Sequence, residues 1–209
     1  MSGYFETHLT VQAEGGQHQT LQDWAANHDL KFTHIVLSRG ATPSQPMFTF
    51  HGDGRLDDQL KKAGRLAEEL LQLGAVVNRI KVEVGLSHPL VPASEDQITS
   101  LGEHNYFEFH IKLLLDANDD LSQLSRLADR HAAHLSKNAF RQRSDGYQER
   151  FLTQRSYRVG RAGAVRRFET LNTSLTGAKY EILEVEREFV VFDDNLDIDR
   201  GWMLEGDSQ

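Results

Sequence analysis

The chain contains no cysteine. That absence excludes disulfides, thiolate zinc sites, cysteine-held iron–sulfur clusters and cysteine nucleophiles. Proline is scarce as well: there are four in 209 residues, and Pro89 and Pro92 fall in one segment. No run approaches the roughly 18 apolar residues of a membrane span. Met1-Ser2-Gly3-Tyr4 has neither the basic nor the apolar part of a secretory signal. These gaps together predict a cytoplasmic protein without a membrane partner. The length is enough for one large domain or two small ones, each with its own core.

Charge is present but uneven. The net charge of −8 argues against nucleic acid as a partner. Yet residues 137–167 carry nine basic side chains against Asp145 and Glu149. Residues 181–209 carry ten acids against Arg187 and Arg200. The two segments can pair within the fold, or the basic one can form a local positive site. The chain is compatible with a homo-oligomer.

One phrase occurs twice. "YFETHLTV" spans Tyr4–Val11 and "YFEFHIKL" spans Tyr106–Leu113, so that His8 and His110 correspond. The segments that follow correspond too, as a short amphipathic helix, two strands, a longer helix and a closing strand. In the first long helix Leu56, Leu60, Ala63, Ala67 and Leu70 recur at helical spacing before Gly74. In the second, Val165, Phe168, Leu171 and Leu175 recur before Gly177. The order β-α-β-β-α-β, twice, predicts an α+β protein of duplicated ferredoxin-like halves, with antiparallel sheets and helices on one face. The expected division is half A over 1–85, a linker over 86–105, half B over 106–192 and an irregular acidic tail over 193–209.

Strand alternation predicts what each face carries. In the first strand Phe5, Leu9 and Val11 share the helix-covered face, leaving Tyr4, Glu6, His8 and Thr10 opposite. In its echo Phe107, Phe109, Ile111 and Leu113 leave Tyr106, Glu108, His110 and Lys112. The same rule turns His34, His51, Lys81, Glu83, Glu184 and Glu186 away from the helices, with Ile35 and Leu37 toward them. If the two polar faces meet, they enclose a central cleft; otherwise they form a solvated, charged surface.

Three chemistries fit these residues. His8 and His110 can act as paired acid and base, supported by Glu6 and Glu108. His8, His51 and Glu83 could hold a divalent metal with open positions, but no close-spaced metal motif is present and ten histidines make coincidence easy, so surface or hydrogen-bonded histidines are the simpler reading. Arg155, Arg158 and Arg161 run into a helix N-terminus and, with Lys112, could hold an anion; ion pairs to the acidic final strand fit equally.

"HLTV" at His8 also resembles the His-apolar-Thr-apolar signature of the two-histidine phosphoesterases, a bilobal family with one motif per lobe. The resemblance covers four residues per half, and Lys112 stands where that family has Thr or Ser. It implies that His8, Thr10 and His110 face a shared cleft. The residues of the expected cleft suit an enzyme of hydrolase or phosphoesterase type, with or without a divalent metal, acting on a small anionic or phosphorylated molecule between two pseudo-symmetric halves. A non-catalytic ligand-binding or regulatory module using the same faces is the alternative.

Overall fold

The computed structural model describes residues 3–12, 16–102, 104–141 and 143–202. The first half contains strand β1 (Gly3–Gln12), helix α1 (His18–Asn27), β2 (Lys31–Leu37), β3 (Ser44–Gly54), α2 (Leu56–Gln72) and β4 (Val76–Gly85). After a five-residue helix, α3 (Glu95–Thr99), the second half repeats the pattern. Its elements are β5 (Tyr106–Asp116), α4 (Leu121–Arg130), β6 (Ala133–Asn138), β7 (Tyr147–Ser156), α5 (Arg161–Gly177) and β8 (Glu181–Asp193).

Every strand pairing is antiparallel. Within each half the first strand lies between the third and fourth, as a ferredoxin-like sheet requires. The two sheets then join at both edges, β4 to β8 and β2 to β6, and close one eight-stranded barrel. Closure leaves no strand edge unpaired. The fold is thus α+β, built from duplicated ferredoxin-like halves, with helices on the outer face of the wall.

The apolar core lies between wall and helices, not inside the barrel. Around α1 and α2 it gathers Leu9, Phe48, Phe50, Ala63 and Leu70. Around α4 and α5 it gathers Phe107, Phe109, Ile111, Leu124, Phe168 and Leu171. Phe168 meets Phe109 edge to face at 5.3 Å, and the Arg187 guanidinium lies 4.5 Å over its ring. Alternation explains the division, because each strand gives its apolar residues to the helices and its polar ones to the lumen.

β2 reverses the expected assignment. Thr33, Ile35 and Leu37 line the lumen, whereas Phe32 packs in the outer core and His34 bonds Ser44 Oγ at 2.8 Å. With apolar residues on both of its faces, periodicity alone cannot orient this strand.

The segments outside the two halves are also ordered. Val91 and Ile98, in the stretch between them, are buried in the second core. Asp193 is the last residue of β8, and Leu196–Asp199 forms a 3-10 turn that folds back on the barrel. Residues 203–209 lie outside the described residues. No helix among the described residues is long and apolar enough to cross a membrane.

Replacing Phe168 by Ala should lower unfolding free energy by roughly 3–5 kcal/mol, the usual cost of a large aromatic cavity. Urea denaturation followed by circular dichroism reads this directly; a loss below about 1 kcal/mol would show that α5 is not seated on the wall as described.

Candidate functional site

The lumen encloses a cavity of about 340 Å³. Glu6, His8, Glu83, Glu108, His110, Lys112 and Arg155, all singled out by alternation or charge, line it. So does Thr10, the further position implied by the phosphoesterase resemblance.

The two histidines are held alike but not identically. His8 Nδ1 lies 2.8 Å from Thr49 Oγ1, and its Nε2 lies 2.6 Å from Glu83 Oε2. A contact that short to a carboxylate places a proton on Nε2, and the Thr49 hydroxyl, which can donate or accept, partners Nδ1. His110 Nδ1 lies 2.9 Å from Thr153 Oγ1, but its Nε2 is 3.8 Å from Glu108, beyond hydrogen-bond reach. His8 is therefore locked at both nitrogens, while Nε2 of His110 is turned to the cavity without a direct bond.

Lys81 sits between the halves. Its ammonium lies 2.9 Å from Glu83 and 3.0 Å from Glu108. Burial alone would lower its pKa; the Glu108 and Glu83 carboxylates outweigh that and hold it charged, well above the ordinary lysine range. Burial would likewise raise the Glu108 pKa, and Arg155 and Lys81 drive it far below the ordinary range instead. Glu83, Glu108 and His110 bring their ligand atoms within 4.8 Å of one another. The Lys81 ammonium already bridges two of these three groups, so a divalent ion would have to displace it.

One end of the barrel is plugged by its own chain. Asp199 accepts from Arg79 at 2.8 Å, from Arg155 at 2.7 Å and from Gln45 at 2.9 Å. Asp193 takes Arg79 at 2.9 Å and the Tyr106 hydroxyl at 2.7 Å. Trp202 closes over this cluster, donating from Nε1 to the Leu135 carbonyl at 3.1 Å. Gly40, at φ +114°, packs against this segment, and a β-carbon there would be strained and would crowd the Trp202 backbone nitrogen at 3.0 Å. At the other end Arg141 and Glu184 are exposed, so access to the cavity is from there.

Several expected site residues stand elsewhere. His51 Nε2 lies 3.2 Å from Glu6 with its ring stacked on Tyr4, outside the cavity lining, so His8, His51 and Glu83 do not converge on one point. Arg158 and Arg161 are exposed outside the wall. The N-terminus of α5 is not open to an anion: the Arg161 amide donates to the Pro92 carbonyl at 3.1 Å, and Gly160 abuts Ala93 and Ser94. Lys112 pairs with Glu149 at 3.3 Å, and Arg155 with Asp199 and Glu108.

Sequence reasoning passed over Glu188. It lines the cavity opposite Glu108 across the β5–β8 ladder. Burial, with Glu83, Glu6 and Glu186 nearby, pushes its pKa up to about 9. The alternating "EVEREF" of β8 is the signal that could have found it. Arg79, equally central, shares the alternation of Lys81 and Glu83 in β4 and could have been read from it, whereas Asp199 carried no pattern of its own.

No protein-family profile matches this chain, and no curated protein matches it. Among solved structures it is similar to the small subunit of acetolactate synthase from Thermotoga maritima, at 13% identity over 91% of this chain and 94% of that one, TM-score 0.32. It is also similar to a mutant chlorite dismutase from Candidatus Nitrospira defluvii, at 12% identity over 91% and 92%, TM-score 0.29. Likenesses this slight carry no argument; the ferredoxin-like assignment stands on the strand order.

Two outcomes follow. Asp199→Ala should cost on the order of 3–5 kcal/mol, because two buried guanidiniums lose a shared acceptor; a near-neutral result by urea denaturation would remove the plug's structural role. For Glu188, a folded pKa above the unfolded 4.5 means stability is fully present below that value and is lost as pH rises toward 9. Glu188→Gln removes that loss. Its stability relative to wild type should grow by about 1–2 kcal/mol between about pH 5.5 and about pH 8.5, after discounting for solvent screening.

Proposed function

We propose that the barrel interior is a ligand chamber for a small polar molecule, with His110 as the group that exchanges a proton with it. One observation carries this reading: both copies of the Glu-x-His motif project into a single cavity of about 340 Å³. Eight-stranded barrels are just wide enough to be filled by side chains or to hold one small ligand, and this volume falls in the small-molecule range. His110 is favoured over His8 because only its Nε2 lacks a hydrogen-bonding partner at close range. Thr153 orients the ring and Glu108 lies close enough to stabilise an imidazolium.

A second reading is hydrolysis of a small anionic or phosphorylated molecule in the same chamber. It draws on Arg155, which lines the cavity and whose Nε has no acceptor among the described residues. Against it, both Arg155 and Lys112 are engaged by internal carboxylates. A non-catalytic binding or regulatory module would use the chamber identically and differ only in whether the bound molecule is converted.

A thermal-shift screen of small charged and neutral compounds tests the chamber. A ligand at a hundred times its Kd stabilises by about 2.7 kcal/mol. Thr153→Phe, which fills the lumen, should abolish that shift; a ligand whose shift survives binds elsewhere and the chamber reading fails. For a compound that is converted, His110→Ala should lower kcat by about 10²–10⁴ with circular dichroism unchanged.

A further inference from the structure

The internal symmetry of the barrel exposes a difference between its halves that bears on what the chamber takes, an inference that rests on the chamber reading above. Glu6 faces Glu83 across one ladder as Glu108 faces Glu188 across the other. His8 faces Lys81 as His110 faces Glu186. Side chains follow the same correspondence: His8 to Thr49 is 2.8 Å and His110 to Thr153 is 2.9 Å; His8 to Glu6 is 3.7 Å and His110 to Glu108 is 3.8 Å. The cluster Lys81, Glu83 and Glu108 therefore has a counterpart in Glu186, Glu188 and Glu6.

The first cluster is complete. An ammonium bridges two carboxylates at 2.9 and 3.0 Å. In the second the lysine position is itself a glutamate. Neither Glu186 nor Glu188 has a hydrogen bond or ion pair among the described residues, and Glu6 meets only His51 and His8. Among the described residues, none of the three cations at the heart of the barrel is left to serve them. Lys81 is taken by Glu83 and Glu108, Arg79 by Asp193 and Asp199, and Arg155 by Asp199 and Glu108. Glu186 is exposed, but Glu6 and Glu188 are half-buried, and a carboxylate partly withdrawn from water without a counter-charge is costly. Here Glu188 meets that cost by keeping its proton.

We infer that the Glu6, Glu186 and Glu188 cluster receives the cationic head of the chamber's ligand, an alkylammonium group, in the place that mirrors the Lys81 ammonium. A primary ammonium offers three donors, and the internal counterpart shows that this barrel accommodates one between carboxylates at ion-pair distance. The ligand class is then a small primary amine, entering from the unplugged end with its charge directed at β8.

Calorimetry of the full chain near neutral pH, with n-butylamine, butyrate, inorganic phosphate and magnesium ion as probes, tests this. Butylamine should bind, releasing a proton detectable as a dependence on buffer ionisation enthalpy, since pairing ionises Glu188. The double variant Glu186→Gln with Glu188→Gln should weaken it at least about tenfold, the scale of one lost charged contact. Glu186→Lys supplies the missing ammonium from the chain and should raise Tm while abolishing amine binding. Butyrate, phosphate or magnesium binding in the chamber without butylamine overturns the ammonium assignment and leaves the chamber standing. Butylamine binding indifferent to Glu186→Lys overturns it too. No binding by any probe, together with an empty compound screen, sinks the chamber reading itself.

Discussion

Charges buried at the plugged end of the barrel are met by one another, and the architecture follows from that. Lys81, on the last strand of the first half, reaches Glu108, on the first strand of the second. Arg79 likewise crosses to Asp193 at the end of β8. Removing one member would strand its partner at a cost of several kcal/mol, so the pairing specifies how the halves meet more than it stabilises them. Hydrophobic burial is assigned to a different layer, where each pair of helices covers its own sheet. The barrel thus separates the two tasks: apolar packing holds the wall together from outside, and electrostatic matching sets the interior.

The C-terminal segment completes that matching. Without Asp199 two buried guanidiniums would share one fewer carboxylate, and without Trp202 the Arg155 guanidinium would lose the ring that lies 5.8 Å from it. Closing one end with charged residues confines access to the other, where the lining residues are exposed. The cavity is a blind chamber and not a through-channel. Any molecule within it meets the histidines before it meets the arginines.

The parts of this arrangement that were legible in sequence are those where apolar and polar residues alternate strictly. β5 and the end of β4 show Phe, Leu, Ile or Val at every second position, and β1 departs from this only at Thr7, so Glu6, His8, Lys81, Glu83, Glu108 and His110 could be placed on the inner face. β2 was not legible, because Phe32 outside and Ile35 and Leu37 inside are all apolar, and only its ladder partners decide. The plug was hidden for another reason: Asp193, Asp199 and Trp202 lie in an acidic stretch whose burial depends on arginines far away in the chain. Arg158 and Arg161 misled because a helix N-terminus draws an anion only when it is open, and here Pro92 and its neighbours cover it. Which histidine is locked depends on Glu83 reaching His8 at 2.6 Å, a contact that no pattern encodes.

Joining the halves in one polypeptide has a consequence that reaches past folding. Two identical copies assembled as a dimer would have to present the same residue at both related positions, either a lysine twice or a glutamate twice. Either choice would leave the interior with a matched excess of one sign. A single chain carries separate codons for positions 81 and 186, so one can be basic and the other acidic. The duplicated barrel is therefore free to be polar along its length in the electrical sense, with a direction that a symmetric pair could never have.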